Sequence, residues 1–246
     1  MSNTGPHSAS ERRVAARTVV VWDALHDTLE EGPLDVLDIG GGTGVSAVRI
    51  AELGHRVCVV DPSPDALAAL GRRAQESGVA DRITIEQGDL SDLPGLVEPA
   101  SIDLVLCHGV LEVVEDPAAA LATITGVLRP GGRLSLLVAQ RHAAVIARAM
   151  AGHFAQARSL LDDPGAPAGA RAGHRFTREE VTALLAASGL ELTGIHGVRV
   201  FADLVPGSLL DLEPGASQAL VELEQAVAAR PEYHPLATQL HLLARR

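Results

Sequence analysis

The chain predicts an α/β fold: a doubly wound, mostly parallel sheet of seven strands, with a helix before the first strand and a helical insert after the fifth. Short apolar runs without strict alternation, such as "LDVLDI", "RVCVVD" and "IDLVLC", suit strands covered on both faces. Helical patterns separate most of them, which joins neighbouring parallel strands through right-handed crossovers. With 246 residues, 47% of them hydrophobic and only 2% aromatic, the chain can bury one sizeable aliphatic core.

Taken in order, residues 1–10 read as a disordered tail and 11–246 as a single domain. "ERRVAARTVVVWDALHDTLEE" is helical, with apolar positions spread more widely than a simple stripe. Strand "LDVLDI", helix "GVSAVRIAELG", strand "RVCVVD", helix "SPDALAALGRRAQESG" and strands "RITIEQ" and "IDLVLC" follow. Helix "DPAAALATITGVLRPGG" and strand "RLSLLVA" complete the regular alternation. From Gln140 a helical stretch runs to about Leu161, and "DDPGAPAGARAG" after it reads as a loop, so that 141–176 forms an insert or lid. "TREEVTALLAASG" restarts the pattern, with Thr177 and Glu180 spaced as a capping box and Gly189 as the stop. The last strands, "LELTGIHGVRVF" and "LATQLHLLAR", bracket the helical "ASQALVELEQAVAAR".

Charge narrows the function classes. Thirty-one acids face 20 bases, all of them arginine, for a net charge of −11. That balance disfavours a broad nucleic-acid or membrane footprint. No uncharged stretch nears the roughly 18 residues of a membrane span, and the N-terminus lacks a signal-peptide core, so a cytoplasmic protein is expected. Cys58 and Cys107 lie inside apolar strands and read as buried free thiols. The ten histidines show no metal-ligand spacing, and no metal site is expected.

The chemistry concentrates after the first strand, in "VLDIGGGTGVSA". Strand, glycine-rich turn and helix together bring backbone N–H groups and a helix N-terminus to a ligand. Gly40, Gly42 and Gly44 form D-x-G-x-G-x-G, whereas the dinucleotide fingerprint G-x-G-x-x-G places its third glycine one residue later. Asp61 ends the second strand 21 residues after Gly40, where a carboxylate can accept both hydroxyls of a ribose; a nicotinamide dinucleotide enzyme would also place an acid there. The third strand ends in "QGDLSDL", where Asp89 can accept from an adenine amine while Leu90 lies against the ring. Asp89 and Asp92 also suit helix N-caps.

Asp38, the glycines, Asp61, Asp89 and the later "LRPGGRLSLL" together resemble the Rossmann-like class I S-adenosylmethionine-dependent methyltransferases, over about residues 34–140. The resemblance implies S-adenosyl-L-methionine as cofactor and S-adenosyl-L-homocysteine as product. A sulfonium and an ammonium against one carboxylate suit an acid-lined pocket, with Asp38 near the cationic methionine end.

Four further stretches, "CHGVLEVVEDP", "AMAGHFAQA", "GVRVFAD" and "LVELEQAVAARPEY", resemble the bacterial tRNA 5-carboxymethoxyuridine methyltransferases, which esterify a carboxylate on a wobble uridine. That resemblance implies cofactor contacts at Arg17, Gly40, Gly41, Asp61, Leu90, Ser91 and His108. Arg17 could clamp the methionine carboxylate, and Glu112 reads either as part of the same wall as His108 or as a solvated helix acid. The sequence departs from the family at Thr43, where an acid is expected, and at Asp89, where a small residue is expected. A tRNA partner also sits poorly with the absence of lysine. Residues 141–199, however, hold seven arginines against five acids.

A carboxylate acceptor is already ionised at neutral pH, so methyl transfer needs alignment and desolvation more than a base. Arg199 could hold that carboxylate, and Tyr233 could stack on a base. Three functions follow: a tRNA carboxyl methyltransferase, a small-molecule O- or N-methyltransferase, or a non-catalytic module that keeps the pocket.

Overall fold

The computed structural model describes residues 9–162, 173–210 and 215–246. Most of the expected tail (1–8) and part of the expected lid (163–172) lie outside them. The elements are α1 (Ala9–Glu30), β1 (Asp35–Ile39), α2 (Val45–Glu52), β2 (Arg56–Asp61), α3 (Pro64–Glu76), β3 (Ile83–Gln87), α4 (Leu93–Leu96), β4 (Ile102–His108), α5 (Pro117–Val127) and β5 (Leu128–Ala139). They continue with α6 (Arg141–Met150), α7 (Phe154–Asp162), α8 (Arg178–Ala187), β6 (Glu191–Val198), α9 (Gly207–Leu210), α10 (Ala216–Ala228) and β7 (Gln239–Arg245).

The seven strands lie in the order β3-β2-β1-β4-β5-β7-β6. β1 pairs in parallel with β2 on one side and β4 on the other, Leu37 facing Cys58 and Val105. β3 and β5 extend the parallel set, and the C-terminal pair forms an antiparallel hairpin. The chain therefore winds outward from β1 to β3 and then restarts at β4, which leaves a switch point between β1 and β4.

The described residues fall into two compact units. One comprises residues 26–138, 179–194 and 242–246; the other is drawn from the chain up to 25, 139–178 and 195–241. In the first, Leu37, Val59, Val60, Leu104, Val105 and Leu106 are fully buried on the central strands. Each such side chain contributes about 1.5–3 kcal/mol through removal from water. α3 buries Leu67, Leu70 and Ala74 at helical spacing, and starts where Ser63 Oγ accepts from the Ala66 amide at 3.3 Å ahead of Pro64. α5 starts in the same manner, with the Asp116 carboxylate accepting from the Ala118 and Ala119 amides at 2.9 and 3.1 Å.

At the opposite end of the strands, charges clasp the sheet. Asp35 meets Arg56 at 2.7 Å and Arg129 at 3.0 Å, and Arg129 also reaches Asp103 at 2.6 Å. Burial opposes ionisation of Asp35, but the two arginine hydrogen bonds outweigh it and hold the carboxyl below its ordinary range. Arg133 grips Glu31 with two bonds of 2.8 and 2.7 Å, which ties β5 to the residue after α1.

Several boundaries differ from the sequence reading. The helix expected to run through "LRPGG" ends at Val127, and β5 takes those residues from Leu128, with a register shift opposite Ile102 and Leu104. Pro130 disfavours helical backbone at Arg129, and Gly131 adopts φ +81°. The stretch expected as one helix from Gln140 to Leu161 is two helices, broken where Gly152 takes φ +76°. β6 stops at Val198 instead of Phe201, because Arg199 enters the left-handed region at φ +61°. α1 buries Val20, Val21, Leu25, Thr28 and Leu29, a narrower stripe than its apolar composition suggested. Cys107 is buried and Cys58 half-buried, both as free thiols.

In the second unit, the Gln140 side chain caps α6, its Oε1 accepting from the Ala143 amide at 3.0 Å. Phe176 pairs in parallel with Gln140, its amide donating to the Ala139 carbonyl at 2.9 Å. No helix among the described residues is long and apolar enough to cross a membrane.

The central strands carry the packing of the first unit, so Leu104→Ala is expected to remove about 2–5 kcal/mol from unfolding in urea. Val113→Ala, at a side chain 77% exposed, should change it by less than about 0.5 kcal/mol.

Candidate functional site

β1, β2 and β4 end together at the switch point, and a cavity of about 720 Å³ opens there. Ile39 and Gly40 come from β1 and its turn, Val60 and Asp61 from β2, and His108 from β4. Gly88, Asp89, Leu90 and Ser91 form a second wall, while Val110, Val113, Glu115, Asp116 and Thr123 close the third.

Asp61 is the most constrained of these side chains. It is only 7% exposed, Oδ2 accepts from the Gly42 amide at 2.9 Å, and Oδ1 accepts from the Ser63 amide at 2.9 Å. A carboxylate offers about four lone-pair sites, so each oxygen keeps one beyond its backbone bond. Two adjacent acceptors held on backbone amides match the two vicinal hydroxyls of a ribose.

The glycine loop also packs closely against the protein itself. A Cβ on Gly41 would lie 2.6 Å from Asp38 Oδ2, and one on Gly44 would run into Leu70 Cδ1. Gly44 also caps α2 in the left-handed conformation at φ +75°. Its first turn receives no side-chain cap and carries no acid, which leaves the positive end of the helix uncompensated by side chains. Tight packing against the protein itself thus demands these glycines.

Asp38 lies beneath this loop, 4% exposed, and does not line the cavity. Its Oδ2 has no hydrogen-bond partner among the described residues. Burial, with the nearby Asp61 charge, pushes the carboxyl up to about 7. A cation near the loop would favour the ionised form.

Asp89 performs the capping role that the sequence left open. Its Oδ1 accepts from the Ser91 amide at 2.7 Å and the Ser91 hydroxyl at 2.6 Å, while Asp92 returns a bond to the Asp89 amide at 2.9 Å. These bonds hold Asp89 below the ordinary carboxylate range, and the side chain stays exposed on the cavity wall. Leu90 is 5% exposed beside it. His108 bonds Ser135 Oγ at 2.8 Å, and burial pushes its imidazole down to about 4, so it is neutral at physiological pH.

Among the cofactor residues expected from sequence, the cavity thus gathers Gly40, Asp61, Asp89, Leu90, Ser91 and His108. Gly41, Gly42 and Gly44 form the loop behind it. Arg17 lies in α1, with its side chain outside the described residues. Glu112 corrects an expectation: it does not line the cavity, whereas Glu115 and Asp116 do, beside Asp61 and Asp89. The valines Val110 and Val113 were missed, since "GVLEVVEDP" carries no periodicity that marks which side chains face a ligand.

The second unit holds its own cavity, of about 680 Å³, lined by Gln140, Arg148, Arg175, Arg199, Thr238 and Gln239 among others. Arg199 pairs with Asp203, and its Nη1 donates to Gln239 Oε1 at 3.4 Å. Tyr233 does not line this cavity. It packs edge-on against Phe201, ring centroids 6.1 Å apart, beside the buried cluster of Val200, Val227 and Ala237.

Comparison with known proteins agrees with this arrangement. A methyltransferase domain family matches residues 37–136, which span β1 to most of β5. The tRNA 5-carboxymethoxyuridine methyltransferase of Escherichia coli K12 is 33% identical over 243 residues, covering 94% of this chain and 88% of that protein. The ubiquinone biosynthesis O-methyltransferase of Xanthomonas euvesicatoria is 32% identical over 171 residues, 69% of this chain and 68% of that protein. An S-adenosylmethionine-dependent methyltransferase from Mesorhizobium loti superposes with a TM-score of 0.59 at 22% identity, covering 92% of this chain and 98% of that one. With the seven-stranded sheet, the glycine turn and the family match in agreement, the chain belongs to the class I S-adenosylmethionine-dependent methyltransferases, and S-adenosylmethionine is its cofactor.

Proposed function

We propose that the chain transfers a methyl group to the carboxylate of a modified wobble uridine in tRNA, giving the methyl ester. The observation that carries this reading is similarity to the E. coli tRNA enzyme over 94% of the chain, including segments outside the shared cofactor core. A tRNA substrate implies a cytoplasmic site of action.

S-adenosylmethionine supplies a methyl group on a sulfonium, already activated for in-line displacement. The protein's task is alignment and exclusion of water. Asp61 accepts the ribose hydroxyls, Leu90 lies along the adenine, and Ser91 and Asp89 border its polar edge. The uncapped first turn of α2 favours the methionine carboxylate. Asp38, beneath Gly41, attracts the ammonium through a poorly solvated interior. Gly40, Gly41, Gly42 and Gly44 let the chain close over Asp38 and Leu70 while leaving amides beside the ligand. His108, neutral and held by Ser135, contributes a fixed polar edge and no charge.

On the acceptor side, Arg199 takes the carboxylate as a guanidinium fork, and the acceptor arrives ionised, so no general base is required. Tyr233, packed on Phe201, supports the Arg199 turn more directly than it offers a stacking face. Residues 11–246 serve as one methyltransferase domain, with 141–176 as the acceptor-side insert. A second reading keeps the donor site and gives the enzyme a small-molecule acceptor. It is favoured by the ubiquinone biosynthesis relative and by the charge of −11 without lysine.

The decisive experiment compares nucleosides from tRNA of wild-type and deletion strains by mass spectrometry. Loss of the wobble methyl ester, with accumulation of its free acid, is expected; identical profiles would transfer the assignment to a small-molecule acceptor. Asp61→Ala should weaken S-adenosylhomocysteine binding by about 3 kcal/mol, roughly 100-fold by calorimetry.

Asp38 gives a pH signature. Its folded-state value of about 7 exceeds the ordinary 3.8, so its contribution to stability is full below about 4 and is lost as pH rises through about 7. Donor affinity moves the opposite way, because a bound cation favours ionised Asp38. The Kd for S-adenosylmethionine should rise by up to about tenfold per unit as pH falls below about 7, and Asp38→Asn should flatten that slope.

A further inference from the structure

Glu224 is fully buried on α10, a place where an apolar side chain would be the ordinary choice. Its carboxylate accepts three successive backbone N–H groups: Val200 at 2.9 Å, Phe201 at 2.8 Å and Ala202 at 2.7 Å. Three donors converging on one buried carboxylate offset the loss of its hydration and fix the orientation of all three peptides.

Those peptides follow directly after Arg199, which adopts φ +61°. Left-handed backbone disfavours a side chain with a Cβ and persists where its surroundings over-determine it. Here the determinant is identifiable. With the next three amides bound to Glu224, the chain cannot relax Arg199 into the extended conformation that would continue β6. The turn instead directs Arg199 to the cavity of the second unit, where Asp203 and Gln239 occupy part of its guanidinium and Nε has no hydrogen-bond partner among the described residues.

We infer that Glu224 is a positioning residue for acceptor recognition: it holds the 200–202 turn so that Arg199 presents its guanidinium to the acceptor carboxylate. This inference rests on the reading of Arg199 as the carboxylate clamp. The turn is prepared before the acceptor arrives, so the arginine's orientation is fixed in advance and less conformational freedom is lost on binding.

The test uses the full-length enzyme, labelled S-adenosylmethionine and tRNA from the deletion strain. E224Q is nearly isosteric but turns one acceptor into an NH₂ facing an amide donor. It should raise KM for tRNA by roughly 10- to 100-fold while kcat changes by less than about threefold, with S-adenosylhomocysteine affinity retained and the thermal midpoint lowered by about 2–10 °C. In an Arg199→Ala background the same change should leave KM unaltered, because the group it positions is gone. If E224Q does not yield folded protein, E224D, which keeps a shortened carboxylate on the same helix face, is measured in the same cycle. An unchanged KM in E224Q, an equal rise with and without Arg199, or a parallel loss of donor affinity would overturn the positioning role. Arg199→Ala with wild-type KM would instead remove the clamp itself, and the inference with it.

Discussion

The cavity at the switch point depends on a single carboxylate bonded to two neighbouring backbone amides. Asp61 closes β2, and its two oxygens hold the amides of Gly42 and Ser63, one in the glycine turn and one at the start of α3. The turn after β1 and the helix after β2 are thereby fixed by the same side chain that faces the cavity. The parallel register carries this constraint inward, since Ile39 sits opposite Val60 at the ends of β1 and β2. The Gly40 amide adds a bond to the Val60 carbonyl at 2.8 Å. A carboxylate already restrained by two amides loses little freedom when a ligand takes its remaining lone pairs, which is preorganisation in the ordinary physical sense.

Asp38 contributes to the same site by a different route. It makes no part of the cavity wall and acts from below, through a backbone that comes close only because Gly41 lacks a side chain. Burial disfavours its charge, and the neighbouring Asp61 disfavours it further. On the proposed reading, a sulfonium and ammonium ligand relieves that cost, whereas a pyrophosphate would be repelled by the same pair of acids.

The sheet and the cavity at its switch point were largely legible in the sequence because both rest on local pattern. Apolar runs such as "RVCVVD" define strands buried on both faces, and a strand end followed by glycines or an acid marks the ligand edge. Where tertiary contacts decide, the reading failed or stayed open. The end of α5 moved because Pro130 and Gly131 favour extended pairing with β4 over another helical turn. The reason for the bare glycines could not be read from the loop alone, since Leu70 and Asp38 come to it through folding. Glu112 and Glu115 are three residues apart in one acidic stretch, and only backbone geometry selects which lines the cavity. Glu224 left no signal at all, because an acid in "LVELEQ" looks like any solvated helix residue.

The two units reuse one device at separate places. In the first, Asp61 binds two backbone amides and keeps lone pairs at the cavity wall; in the second, Glu224 spends its carboxylate wholly on amides, and the adjoining Arg199 lines the cavity. On the proposed reading a neutral sugar is met directly by a carboxylate, whereas an anionic acceptor meets the arginine of the Arg199–Asp203 pair, with Glu224 buried behind it. A chain of net charge −11 can in this way present a local cation to a carboxylate without a basic surface. Arg148 and Arg175 line the same cavity as the Arg199–Asp203 pair, so three arginines face one acid there and the lining keeps a positive balance.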